Sequence, residues 1–153
     1  MHVLFYGSSP DTVSARFTIL DTDGKEFCII DRSWSGQSLS VDFTSAAFGG
    51  KEYLFPLDIR SSKIGHENSS QVGDGTFLPK YFLEDGECML LSSRYSSKCR
   101  SALSDLCFFA IWQSKRMQSR YSKIYSIELS GLKTGTRYEI VIDSKGSLKL
   151  LQM

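Results

Sequence analysis

The chain has 153 residues, a length that fits a single domain (residues 1–153) able to bury a core without metals or disulfides. Hydrophobic residues make up 41% and charged residues 23% of it, which is typical of globular proteins and argues against disorder of the whole chain. The formal net charge is +1, and the longest apolar run, Leu106–Trp112, is too short to span a membrane. The first residues lack the basic and apolar regions of a signal peptide, so we expect a cytoplasmic, intracellular protein.

Three pairs of apolar runs, each separated by turn-forming residues, predict three antiparallel β-hairpins. The Asp-Gly dipeptides at positions 23–24 and 85–86 are strong hairpin signals, because a type I′ turn requires a positive φ at both central residues. The paired runs are Phe17–Leu20 with Phe27–Ile30, Tyr81–Leu83 with Cys88–Leu91, and Tyr138–Ile142 with Leu148–Leu151. Further predicted strands are Val3–Tyr6, Leu39–Thr44, Glu52–Ile59 and Ile124–Leu129. The polar stretch 61–76 is expected to be a long loop.

One segment departs from the β pattern. Arg100–Lys115 contains neither glycine nor proline, and its apolar residues recur at helical spacing. We expect a helix for which Ser101 is the N-cap, and in which Leu106 and Ala110 face the core.

Three aromatic residues of this segment, Phe108, Phe109 and Trp112, widen its apolar face, so we expect the helix to be buried on most sides. Together with the hairpins, the segment predicts a mostly β fold with one inserted α-helix around residues 100–116. The β part is expected to be a sandwich or barrel of antiparallel hairpins.

The segment Ile127–Ile142 resembles the E strand, the E–F turn and the F strand of a fibronectin type III domain. Its core, Leu132–Ile142, has a leucine, a Gly-Thr turn, Tyr138 and alternating aliphatic residues at that family's spacing. In such a tyrosine corner the hydroxyl binds upstream backbone and pins the crossover between two sheets. Ser38–Thr44 is similar to the family's B strand. The resemblance implies a binding or structural module without catalytic residues; a different β-rich fold with a similar corner is the alternative.

The sequence predicts no cofactor, no metal site and no catalytic residues. None of the cysteines forms a C-x-x-C pair, so neither a zinc knuckle nor a redox motif is present. Phosphate-binding, dinucleotide-binding and nucleophile-elbow motifs are absent as well. We expect four buried free thiols: Cys28, Cys88, Cys99 and Cys107.

The titratable groups suited to catalysis lie in segments that are expected to be solvated. The two histidines are His2 and His66, and His66 lies in the predicted polar loop. Acidic residues cluster in two predicted hairpin turns, although partners could also converge from distant strands. These acidic residues are Asp21, Asp23, Glu84, Asp85 and Glu87.

Charge is segregated along the chain. Residues 1–93 carry a net charge of −6 and residues 94–137 a net charge of +7. Such a basic segment can meet phosphates or an acidic protein, or it can face the acidic half of its own chain. We predict a partner-binding role for Arg94, Lys98, Arg100, Lys115, Arg116, Arg120 and Lys123.

These observations favour a non-enzymatic macromolecule-binding protein that acts through a surface patch, as an inhibitor, an immunity-type protein or an assembly component. The expected partner is a protein with an acidic surface, and no membrane partner is expected. One alternative is a nucleic-acid-binding module that uses the basic segment 94–137, which also contains Tyr95, Tyr121 and Tyr125. The other is a hydrolase whose carboxylate site is not visible in the sequence.

Overall fold

The computed structural model describes residues 1–62, 75–116 and 123–153, and only the backbone of 114–116. These ranges contain eleven strands, one α-helix and one short 3-10 helix, Leu78–Tyr81. The strands are β1 (His2–Ser8), β2 (Thr12–Leu20), β3 (Glu26–Ser35), β4 (Ser38–Phe48), β5 (Lys51–Ser62), β6 (Gly75–Phe77), β7 (Leu83–Glu84), β8 (Glu87–Cys88), β9 (Ile124–Glu128), β10 (Arg137–Ile142) and β11 (Leu148–Gln152); the helix is α1 (Ser97–Arg116). The predicted mostly β fold with one inserted helix is confirmed.

Nine of these strands form two antiparallel sheets that pack around one apolar core, and β7 and β8 form a separate two-stranded sheet. The first sheet has the order β11-β10-β1-β2-β3, and the second has the order β6-β5-β4-β9. Side chains such as Val3 and Phe17 from the first sheet and Ile59 from the second are fully buried between them. The Trp34 indole N–H donates to Thr76 Oγ1 at 3.0 Å, which ties β3 of the first sheet to β6 of the second.

All three predicted hairpins form, as β2–β3, β7–β8 and β10–β11. The middle hairpin is shorter than predicted, because Tyr81 ends the 3-10 helix and the residues after Cys88 turn away from the strand. The other four predicted strands correspond to β1, β4, β5 and β9. The predicted loop 61–76 overlaps the end of β5 and the start of β6, and its residues 63–74 lie outside the described ranges.

The turn chemistry differs between the hairpins. Asp85 (φ 48°) and Gly86 (φ 82°) both have a positive φ, as the type I′ prediction requires. In the β2–β3 turn only Gly24 has a positive φ, at 78°, so the Asp23-Gly24 pair does not form that turn. There Asp21 Oδ1 accepts the N–H groups of Asp23 and Lys25 and holds a longer loop. The β10–β11 turn repeats this pattern around Asp143.

The middle of β4 is buried on both faces, because the second sheet lies between the first sheet and α1. Val41 and Phe43 belong to the core between the sheets. Asp42 and Thr44 alternate with them on the opposite face and are also buried. The Thr44 hydroxyl donates to the Ala110 carbonyl at 3.4 Å, which fixes α1 on this outer face of the sheet.

The helix begins earlier than predicted. It starts at Ser97, and Ser96 rather than Ser101 occupies the N-cap position. The Ser96 hydroxyl accepts the Cys99 N–H at 3.2 Å, and the Ser96 carbonyl accepts the Arg100 N–H. Both serines suit a cap, and the cap that forms is the one at Ser96.

The side of α1 that faces the protein is centred on Leu103 and Cys107, both 0% exposed. Ala110 is buried, as predicted. Leu106 is only half-buried and is not part of the core, so the prediction that it faces the core is wrong. A residue one position before Cys107 is rotated by about 100° around the helix axis, which moves Leu106 to the edge of the contact with β4.

Tyr138 has the surroundings that the tyrosine corner predicts. Its side chain is 8% exposed, and its hydroxyl accepts the Lys133 N–H at 3.0 Å. Lys133 lies in the segment that connects β9 of the second sheet with β10 of the first, so the bond ties this crossover segment to β10. β10 itself lies between β11 and β1, the first strand of the chain. Membership of the fibronectin type III family stays a prediction.

Candidate functional site

The first three predicted partner-binding residues lie at the start of α1. Arg94 and Lys98 are exposed, and Arg94 Nε lies 3.6 Å from Asp23 Oδ1, a carboxylate of the acidic half of the chain. The Arg94 side chain is 83% exposed despite this contact, so it stays accessible to a partner. Arg100 is half-buried, and its Nε is buried without a hydrogen-bond acceptor among the described residues. Arg100 is therefore less accessible than predicted.

The remaining predicted residues lie at the other end of the helix. Lys115 and Arg116 are its last two residues, and their side chains are outside the described part. Arg120 lies outside the described ranges altogether. Lys123 is exposed just before β9. Since α1 rises about 1.5 Å per residue, its two basic ends are about 25 Å apart and form two separate groups.

Lys123 faces an acidic residue of its own chain. The Tyr125 hydroxyl donates to Glu52 Oε1 at 2.7 Å, and this bond is the main reason that the pKa of Glu52 is lowered. The charge of Lys123 lies close enough to lower that pKa further. Part of the charge of the basic segment is thus offset locally, both here and at Arg94.

The exposed side of α1 carries aromatic residues that the sequence analysis assigned to a buried helix. Phe108 is 37% exposed, Phe109 59% and Trp112 58%, so the expectation of burial on most sides is wrong. We call Phe108, Phe109 and Trp112 the α1 aromatic face. Helical spacing places Phe109 and Trp112 on the side of α1 opposite Leu103. The α1 aromatic face lies in the C-terminal half of the helix, and Lys115 and Arg116 follow it in the sequence.

The sequence contained a signal for this exposure. Leu106–Trp112 is a run of seven apolar residues, which covers the whole circumference of a helix. Only burial on every side could hide such a run, and α1 packs on β4 and β8 along one side. Some of the aromatic residues therefore had to face solvent.

Two of the four cysteines form a buried pair between α1 and β8. Cys88 and Cys107 are buried and interact through their thiols, whereas Cys28 and Cys99 are half-buried. The contact with Cys88 and burial raise the pKa of Cys107. All four are free thiols in the structure. Cys88 is held further by its N–H, which donates to Ser104 Oγ at 3.0 Å.

A pair of carboxylates that the sequence analysis missed lies on the outer face of the second sheet. Asp42 of β4 is opposite Asp58 of β5 in the antiparallel register. Asp42 is buried, accepts the Ser126 hydroxyl at 2.6 Å, and pairs with Arg60 at 2.7 Å. A buried carboxylate that is both ion-paired and hydrogen-bonded is typical of a structural role. In the first of the predicted acidic turns, Asp21 likewise has a structural role, since it holds its own loop.

Comparisons with known proteins returned no relatives: neither a family model, nor a curated protein, nor a solved structure matches the chain. Within residues 1–62, 75–116 and 123–153, no group of three or more His, Cys, Asp or Glu side chains is placed to hold a metal ion. No helix in the same ranges is long and apolar enough to cross a membrane.

Proposed function

We propose that this chain is a non-enzymatic protein-binding module whose partner docks on the outer side of the C-terminal half of α1. The observation that supports the proposal is the exposure of Phe109 and Trp112, which are 59% and 58% accessible on a helix whose other side is buried. Large apolar side chains that cluster on an exposed surface are typical of interaction sites. Aromatic residues are also enriched among the residues that dominate binding energy.

The helix offers this surface in a rigid form. Its inner side is fixed by Leu103 and Cys107 in the core and by the Thr44–Ala110 hydrogen bond. A partner therefore meets the α1 aromatic face in a fixed arrangement and loses little free energy to ordering it. A helix side with apolar residues three or four positions apart fits an apolar groove in the partner.

The basic residues of this chain indicate which charge the partner's groove carries at its rim. Lys115 and Arg116 follow Trp112 at the end of α1, and Arg120 and Lys123 follow within the next residues of the chain. Acidic residues bordering the groove would complement them and would accelerate association at low salt. The expected partner is thus a protein with an apolar groove and an acidic rim.

The test uses a displayed library of random 20-residue peptides selected on the full chain. Enriched peptides are synthesised and titrated by fluorescence anisotropy against the full chain and the Phe109→Ser variant. We expect apolar peptides flanked by Asp and Glu, and a loss of at least about tenfold in affinity on Phe109→Ser. Arg116→Glu should weaken binding as well, most strongly at low salt.

The matched control is Ile29→Ser, which removes a side chain of similar exposure, 53%, from the edge strand β3 of the first sheet. It should leave peptide affinity unchanged. Peptides that lose affinity on Ile29→Ser and keep it on Phe109→Ser would contradict the proposal. Single-stranded oligonucleotides are the second arm. The nucleic-acid hypothesis would be favoured instead if no peptide is enriched and the oligonucleotides bind with a steep salt dependence. That binding should also be lost on Phe109→Ser.

A further inference from the structure

A cavity of about 230 Å³ lies between the two sheets, and its lining residues all lie outside α1. It is bounded by the end of β2, by the start of β5 and by Leu90 and Leu91, which follow β8. The Thr22 N–H donates to the Leu90 carbonyl at 2.9 Å, which ties the segment after β8 to the β2–β3 turn.

The walls of the cavity are more apolar than polar. Ile19, Phe43 and Phe55 contribute from three different strands, and each is almost completely buried. Leu90 and Leu91 line the cavity and are also buried. The cavity is partly open to solvent, so a small molecule can reach these apolar side chains without unfolding of the sandwich.

The polar groups of the lining residues have partners within the protein, including the Met1 ammonium, which donates to the Ile140 carbonyl at 3.5 Å. Asp21 Oδ1 accepts two backbone N–H groups of its own turn. The Thr22 hydroxyl accepts the Ser92 N–H at 2.9 Å, and the Tyr53 hydroxyl interacts with Tyr95. A bound molecule would therefore be recognised by shape and by burial of apolar surface, and a charged group would be desolvated with little compensation.

We propose that this cavity binds a small, neutral, apolar molecule about the size of a two-ring aromatic such as indole. The site is separate from the proposed protein-binding surface. An apolar cavity of about 150 Å³ in another protein stays dry and takes up benzene, so the larger volume here accommodates a larger ring system. The satisfied rim explains why the ligand is neutral.

The probe is indole, titrated into the full chain and followed by the backbone amide NMR spectrum. We expect saturable shifts with a Kd between about 10 μM and 1 mM, centred on Thr22, Leu54 and Leu90. Indole-3-acetate, which adds a carboxylate near Asp21, should bind at least about tenfold more weakly. Shifts centred on residues 108–112 would mean stacking on the α1 aromatic face and would overturn the proposal, as would the absence of saturable shifts.

Two leucine substitutions locate the ligand. Leu90→Phe places a larger side chain at the cavity and should weaken indole binding at least about tenfold. Leu151→Phe makes the same change on the first sheet at an exposed position, 48% accessible, and should leave binding unchanged. Circular dichroism checks that both variants fold, and Leu91→Phe replaces Leu90→Phe if that variant does not. Unchanged affinity in a folded cavity variant would also overturn the proposal.

Discussion

The two sides of α1 contain similar apolar residues that serve different purposes. The inner side, which packs on β4 and β8, contains Leu103 and Cys107, and neither is accessible to solvent. The outer side places Phe109 and Trp112 in solvent, each more than half exposed. The comparison shows that the apolar residues of one helix divide between stabilising the fold and, in our proposal, binding a partner. Hydrophobicity alone does not distinguish the two roles, whereas burial does.

The reaction rates of the cysteines with a thiol reagent should show the largest difference between buried and accessible positions. Cys88 and Cys107 lie in the buried contact, and burial and the contact with Cys88 raise the pKa of Cys107, so its reactive thiolate is scarce at neutral pH. We expect Cys28 and Cys99 to react with a thiol reagent in the native protein, and Cys88 and Cys107 at least about 10³-fold more slowly. Denatured protein should react at all four. Rapid reaction of Cys107 in the native protein would show that the inner side of α1 is open.

Leu103→Ala measures what the inner side contributes to stability. Because Leu103 is completely buried, its truncation should lower the free energy of unfolding by about 2–5 kcal/mol. Leu106→Ala is the control at a half-buried position of the same helix and should cost clearly less. Urea denaturation measures both values. If Leu106→Ala lowered the free energy of unfolding as much as Leu103→Ala or more, the side of α1 that packs on β4 would not be the one centred on Leu103.

Tyr138→Phe provides an intermediate value, away from α1. The substitution keeps the buried ring and removes the oxygen that accepts the Lys133 N–H, so we expect a loss of about 1 kcal/mol. The effect should appear as a lower urea midpoint with an unchanged slope. A urea midpoint identical to that of the parent chain would show that the Tyr138 hydroxyl does not stabilise the β9–β10 crossover.

Phe109→Ser gives the smallest change in stability. Since the ring is mostly exposed, its removal should change the free energy of unfolding by no more than about 0.5 kcal/mol. This result matters because it separates binding from folding: a stable variant that no longer binds identifies an interaction residue. A loss comparable to that of Leu103→Ala would show that Phe109 supports the fold.

Local signals in the sequence predicted most of the β structure. Turn residues at positions 23–24, 85–86 and 144–146 mark all three hairpins, and the spacing around Tyr138 predicts its buried, hydrogen-bonded place. These features depend on neighbouring residues and can be read from a short window. The earlier start of α1 could not be predicted in this way, because Ser96 and Ser101 suit an N-cap equally well and the local sequence does not distinguish them.

The candidate site depended on contacts between distant segments. That Leu106 and the aromatic residues lie outside the core follows from how α1 rotates on β4, which periodicity does not determine for a helix that is apolar all round. An aspartate at an alternating position of a strand is ordinarily exposed to solvent. Asp42 is buried instead, and it accepts a hydrogen bond from Ser126, 84 residues away, and pairs with Arg60. The charge of the basic segment was visible in the sequence, but the length of α1 divides it into two groups.

Photocrosslinking tests the claim that the outer side of α1 binds the partner. The photoreactive analogue p-benzoylphenylalanine is placed at position 109 and, in a second preparation, at position 29, a site of similar exposure on β3. Each preparation is irradiated with the highest-affinity selected peptide and analysed by mass spectrometry. The account predicts a peptide adduct at position 109 and none at position 29. An adduct at position 29 alone, with peptide affinity preserved in both preparations, would contradict it.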